Sequence, residues 1–179
     1  MSMITIEQFN QYTGNFEEDT QNLKRTYLDA AERVVINYLG YEPWVKEYDE
    51  FFSGIEDYKL YLNAKNVSNV SFVSVNGCPI DVTTLDFKDE YIFDRCRRKV
   101  FKLGVDNIHV LYTAGFSEIP ELILLSVMRI AALMLAEEGG NIGITGKSMG
   151  DNSRTFINYQ NYDKYLRPLD AYRVVRFNG

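Results

Sequence analysis

The stretch Asn107-Ile-His-Val-Leu-Tyr-Thr-Ala-Gly-Phe-Ser-Glu-Ile-Pro-Glu-Leu122 decides how this chain is read, because its hydrophobic period changes partway along. Ile108, Val110 and Tyr112 fall on one face of an alternating run and His109 and Leu111 on the other, the pattern of a strand. Ala114-Gly115 ends the alternation. Ser117 or Ile119, with Pro120 near the first helical position, then opens a helix that the apolar run Leu122 to Ala136 carries to about Glu138, before Gly139-Gly140. The run is shorter than the ~20 residues a bilayer requires and holds Arg129 near its middle. It therefore predicts a buried central helix, with Leu125 and Leu133 in the core and Arg129 tied to an acid, Glu32 or Asp29.

Upstream, Asp19 to Leu39 has helical spacing, with Leu23, Tyr27, Val34 and Tyr38 among its core-facing residues. Thr5 can cap a shorter helix that reaches Thr13, with Phe9 and Tyr12 inward. The acidic run Glu47 to Asp57 reads as a loop or a short helical turn. Between Tyr58 and Thr113, β-branched and aromatic residues gather in short runs. Asn76-Gly77 marks one hairpin, and the segment Asp94 to Arg98 marks a second, between Tyr91–Phe93 and Lys99–Leu103. The fold class predicted is α+β and mainly helical: a helical core (helices 5–13, 19–39 and 119–138) with an inserted antiparallel β-hairpin region at 58–113. Residues 1–140 form that core, and residues 141–179 a flexible Gly-rich loop followed by a C-terminal docking extension.

The 179 residues include 19 Lys and Arg against 25 Asp and Glu, so the molecule as a whole repels nucleic acid and any basic function is local. From Asn141 onward six bases face three acids, which reverses the sign and points that end at an acidic partner. The two cysteines, Cys78 and Cys96, and the lone His109 suggest neither a zinc site nor a disulfide framework, and the first residues lack the pattern of a signal peptide. No metal, cofactor or membrane is implied, and a reducing cytoplasm fits.

Gly146-Lys147-Ser148 invites comparison with a phosphate-binding loop, but Asn141 stands where the first glycine is required. A nucleotide-binding protein using Lys147, or a nucleic-acid-binding protein using the basic C-terminal segment, remains the alternative reading. Arg95, Arg97, Arg98 and Lys99 form the densest basic cluster. Arg154, Phe156, Tyr159, Tyr162, Tyr165, Arg167, Tyr172, Arg173, Arg176 and Phe177 combine the residue types that dominate protein–protein hot spots, so a protein partner is favoured for this end. On this reading, a chain cut after Gly150 keeps a folded core.

The order of these pieces resembles the head-tail connector, or adaptor, proteins of tailed bacteriophages. The resemblance rests on Met3-Ile-Thr-Ile-Glu7, the helix from Leu23 to Gly40, Val110-Leu-Tyr-Thr-Ala-Gly-Phe116 with Ile119-Pro-Glu-Leu122, and Leu169-Asp-Ala-Tyr-Arg173. It implies a structural virion protein without catalysis or cofactor, assembled in the host cytoplasm and located at the neck. There it would form a homo-oligomeric ring, typically of twelve copies, bound to the portal and passing the DNA channel on to a stopper or tail protein. Its C-terminal segment would reach the portal, and its lumen would not be lined by Arg95, Arg97 and Arg98.

Overall fold

The computed structural model describes residues 2–137, 146–149, 152–155 and 162–174. About 40% is helix and 30% strand, so the expectation of a mainly helical chain is corrected to a mixed α+β fold. The strand content was underestimated because β1 (Lys46–Gly54), inside the acidic run read as a loop, is nine residues long. Its inward position Glu50 breaks the apolar alternation, yet the carboxylate is satisfied there by the Tyr112 hydroxyl at 2.6 Å and the Asn63 amide at 3.3 Å. Charge on a strand at a sheet edge also guards against unwanted pairing.

Two compact units divide the chain, one of Met1–Tyr38 with Ile119–Ala171 and the other of Leu39–Glu118 with Tyr172–Gly179. In the first, α1 (Ile6–Thr13) starts with a reciprocal capping box between Thr5 and Gln8, which satisfies two otherwise orphan N–H groups. Phe9 is fully buried, whereas Tyr12 turns outward. A short 3₁₀ turn leads into α2 (Gln21–Leu39). Its buried stripe is Lys24, Leu28, Ala31, Glu32, Val35 and Leu39, one position along from Leu23, Tyr27, Val34 and Tyr38, which lie half-buried on its flank. The N–H groups of Ile123 and Leu124 donate to the Pro120 carbonyl as α3 (Glu121–Glu137) begins. Ile123, Val127, Ile130 and Ala131 are buried, and Leu125 and Leu133 are half-buried.

The expectation for Arg129 is overturned. It is exposed, and its guanidinium lies over the Tyr165 ring, 5.6 Å from the centroid. Among the described residues no ion pair joins it to a carboxylate. Glu32 is engaged elsewhere: its Oε1 accepts from the Ser2 hydroxyl and from the N–H groups of Met3 and Ile4, at 2.9, 2.6 and 3.2 Å.

The second unit holds a four-stranded antiparallel sheet in the order β1-β7-β3-β4 and a three-stranded one in the order β2-β6-β5. The ranges are Lys59–Tyr61 for β2, Asn69–Val75 for β3, Cys78–Pro79 for β4, Leu85–Lys88 for β5, Tyr91–Asp94 for β6 and Gly104–Ala114 for β7. Ile108, Val110 and Tyr112 are buried as expected, and Asn76 and Gly77 both take the positive φ that their hairpin requires. The second hairpin is corrected: β6 pairs with β5 and β2, and the segment after the Asp94 turn contributes only an isolated bridge from Phe101 to Asp57. Gly115 explains the Ala-Gly of the quoted stretch. Its φ is +112°, and a Cβ there would stand 2.1 Å from the Trp44 carbonyl oxygen, so no larger residue fits.

Candidate functional site

No described helix is long and apolar enough to cross a membrane, and among the described residues no three His, Cys, Asp or Glu gather as metal ligands would. The charged and aromatic side chains that the sequence singles out gather on the C-terminal segment, on the turn after β6 and on the outward face of the larger sheet. Phe156, Tyr159, Arg176 and Phe177 of the C-terminal segment lie outside the described residues, as does most of the Gly-rich stretch before it. Arg154 falls in β9 (Asn152–Thr155), which pairs antiparallel with β8 (Gly146–Met149). Lys147 thus sits in a strand paired to its neighbour, not in a loop entering a helix.

From Tyr162 to Val174 the segment is packed into the chain. Leu166 on α4 (Asp163–Leu166) and Leu169 on the following 3₁₀ helix are buried, the latter completely. The Ser126 hydroxyl donates to the Tyr165 carbonyl at 2.9 Å, and the Tyr38 hydroxyl to Asp170 at 2.5 Å. Tyr165 is half-buried beneath Arg129. In the second unit, Tyr172 packs edge-on against Phe116, and buried Val174 donates its N–H to the Leu39 carbonyl at 3.0 Å. Arg167 and Arg173 are exposed and Tyr162 is half-buried. The aromatic and apolar side chains here serve folding first, and the exposed charged residues are Asp163, Lys164, Arg167, Asp170 and Arg173.

The basic turn after β6 is built on Asp94. This carboxylate is inaccessible to solvent and accepts from the Arg98 N–H at 2.9 Å and from its guanidinium at 2.6 Å. The Arg98 guanidinium bond, ahead of the backbone bond and the charge itself, holds the Asp94 carboxyl below its usual range. Arg95 stands 3.7 Å from Asp86. Of the four bases in the cluster, Arg97 and Lys99 alone show no ion pair among the described residues. Arg97 occupies the left-handed region at φ +57°, uncommon for a residue with a side chain.

The outward face of the larger sheet carries Asp49, Phe51, Phe72, His109 and Leu111. His109 Nε2 lies 2.7 Å from Asp49 Oδ1, its ring stacks on Phe51 with centroids 4.4 Å apart, and Phe72 meets it edge-on. Beneath, Tyr48 and Tyr112 stack at 5.0 Å. Burial, reinforced by Glu42 and Glu50, pushes the Tyr48 hydroxyl up to about 12; burial and the Glu50 bond push Tyr112 higher still, so both stay protonated donors. The Asp49–His109 pair, with Ser74 opposite His109 in the ladder, braces the stacked rings of this face.

Most exposed of all is the end of the β1–β7 ladder. Phe51, Ile55, Leu103 and Val105 show 61, 68, 75 and 84% of their surface, four of the five most exposed large apolar side chains described. Sequence reading assigned Leu103 to a strand and missed this cluster; the Leu-Gly-Val run at 103–105 between Lys102 and Asp106 was its one visible sign.

The sequence model of the head completion protein family matches residues 2–165. No curated protein sequence matches the chain. Among solved structures, the neck of a native gene transfer agent (GTA) particle computed with C12 symmetry contains a similar chain, with TM-score 0.59 and 12% identity, covering 97% of this chain and 90% of that one. The neck of an empty particle computed with C6 symmetry gives 0.60 at 14% identity, and the virion of the native particle 0.60 at 13%, each covering 99% of this chain and 92% of the other. At such identities the structures speak for the fold, while the sequence model, spanning both compact units, settles membership: this chain belongs to the head completion protein family.

Proposed function

We propose that this protein is a non-enzymatic virion component, a ring-forming head-tail connector at the neck that joins the portal to the tail or stopper and continues the DNA channel. The observation that carries the reading is coverage. The family match and the likeness to neck chains run through both compact units, including the β unit, so the resemblance does not rest on one common helical motif. The similar neck structures computed with C12 and C6 symmetry support a ring, with twelve copies the natural number. A net charge of −6 suits a collar that lets DNA pass without gripping its phosphates.

Portal docking falls to the C-terminal segment, through the exposed Arg167 and Arg173 and through Arg154, Phe156, Tyr159, Arg176 and Phe177. Co-expression with the portal encoded by the same genome, followed by co-purification and electron-microscope imaging, tests the reading. A symmetric ring beneath the portal is expected; a chain that remains monomeric and does not co-purify would sink it. Arg167→Glu should weaken capture without changing the melting temperature.

A further inference from the structure

The three-stranded sheet turns an aromatic and basic face outward. Alternation along its strands buries Leu60, Ile92 and Leu85 on one side and leaves Lys59, Tyr61, Tyr91, Phe93, Asp86 and Lys88 on the other. The register sets Tyr61, Tyr91 and Lys88 in one row across the strands and Lys59, Phe93 and Asp86 in the next. The Tyr91 ring lies 5.6 Å from that of Tyr61 and 5.8 Å from that of Phe93, centroid to centroid. The Lys59 ammonium lies over the Tyr91 ring, 5.0 Å from its centroid. Each nearby acid is already matched: Asp86 faces Arg95 at 3.7 Å, and Asp89 and Glu90, at the β5–β6 connection, face Lys65 at 3.7 and 3.5 Å. Lys59 and Lys88 make no ion pair among the described residues. Strand β6 then runs on into the turn that presents Arg97 and Lys99, which make none either.

We propose that this face binds single-stranded nucleic acid, with unpaired bases stacked on Tyr61 and its neighbouring rings and phosphates met by Lys59, Lys88 and the basic turn. The local charge has the required sign: cations outnumber acids from the face into the turn, on a chain whose net charge is −6. Three rings set among repeated cations suit a polymer that repeats a planar base and a phosphate, whereas an acidic protein surface would have to match the charge alone. Tyr61, 41% exposed, is the most open of the three rings. Lys59 sits on a flexible stem, so its ammonium can leave the Tyr91 ring for a phosphate and free that ring for a base. A duplex keeps its bases stacked inside and offers this face phosphates only, so the double-stranded DNA of a channel is not its ligand. The proposal stands apart from the ring reading.

Fluorescence anisotropy of a short labelled oligothymidylate titrated with the full chain tests the proposal. The single strand should bind more tightly than a duplex of the same length, and the affinity should fall as salt rises. Tyr61→Leu, which keeps an apolar side chain but removes the aromatic face, should weaken binding about tenfold, while Tyr61→Phe keeps the affinity. Lys59→Gln with Lys88→Gln should flatten the slope of log affinity against log salt by about 1.4, at about 0.7 for each lost phosphate contact. Thermal melts of the same variants separate these losses from unfolding. The proposal is overturned if the wild-type chain does not bind at low salt, if the duplex binds as tightly, or if folded Tyr61→Leu binds like the wild type. Competition by polyglutamate as effective as by unlabelled oligothymidylate would overturn it in favour of an acidic protein partner. Loss of binding in Arg154→Gln with Arg176→Gln, but not in the Tyr61 and lysine variants, would overturn it in favour of the C-terminal segment. Imaging with the portal reads the ring separately, so none of these outcomes decides it.

Discussion

Helices α2 and α3 each carry a basic residue among apolar neighbours, and the fold treats the two oppositely. Lys24 on α2 is fully buried, and its ammonium donates to Asn10 Oδ1 at 3.0 Å and to the carbonyl and side-chain oxygens of Asn15 at 2.9 and 3.1 Å, with the Glu17 carbonyl at 3.5 Å. Arg129 on α3 stays outside and rests on an aromatic ring. The difference lies in what the adjoining backbone offers. The segment leaving α1 supplies a cage of neutral oxygens that satisfies all three ammonium protons, so Lys24 is buried without a carboxylate. No such cage is described around Arg129, and leaving it in water over Tyr165 avoids desolvating the guanidinium. Burial of a charge is decided by its hydrogen-bond partners, which are distant in sequence or belong to a loop.

The contrast can be broken at several points. The largest effect is expected where the C-terminal segment joins the helices. Leu169→Ala should cost about 3 kcal/mol in chemical denaturation because Leu169 is fully buried. A chain cut after Gly150 should accordingly melt well below the intact protein, contrary to the expectation from sequence; an unchanged melting temperature would restore the tail to a purely external role. Lys24→Met keeps the stem's packing and removes its donors, leaving the oxygens of Asn10 and Asn15 without their partner. A loss of about 2 kcal/mol is expected. If the variant is as stable as the wild type, water replaces the ammonium and the cage is not what fixes α1.

A third charge, the buried Asp94 carboxylate, extends the comparison to the β unit. Its folded pKa is depressed, so its contribution is present above the ordinary carboxylate range, near pH ~4, and is lost as pH falls through the folded value. Unfolding midpoints measured between about pH 5 and pH 2 should fall less steeply for Asp94→Asn than for the wild type; parallel curves would show that the bond to Arg98 adds nothing. The smallest effect is reserved for Arg129. Arg129→Met should change stability by no more than about 0.5–1 kcal/mol, the value of an exposed contact between a cation and an aromatic ring. A loss of 3 kcal/mol or more, as for a broken buried ion pair, would revive the carboxylate partner expected from sequence.

How legible each part was follows from the range of the forces involved. Local signals held. The Thr5 cap, the Asn76-Gly77 turn, the alternation of β7 and the long helices are written in neighbouring residues, through φ preference, capping chemistry and hydrophobic period, and so were the pieces that carry the family resemblance. The sequence alone therefore determined the order of most elements and the kind of protein. Tertiary structure alone decided that β1 is a strand, because Glu50 becomes acceptable inward only when Tyr112, sixty-two positions away, offers its hydroxyl. It also decided that Lys24 and Asp94 lie inside and Arg129 outside, that Tyr165, Leu166 and Leu169 fasten the C-terminal segment to the helices, and that Ile55, Leu103 and Val105 meet at one exposed tip. In each case the free energy of a side chain depends on groups brought beside it by the fold, and no periodicity along the chain records which groups those are.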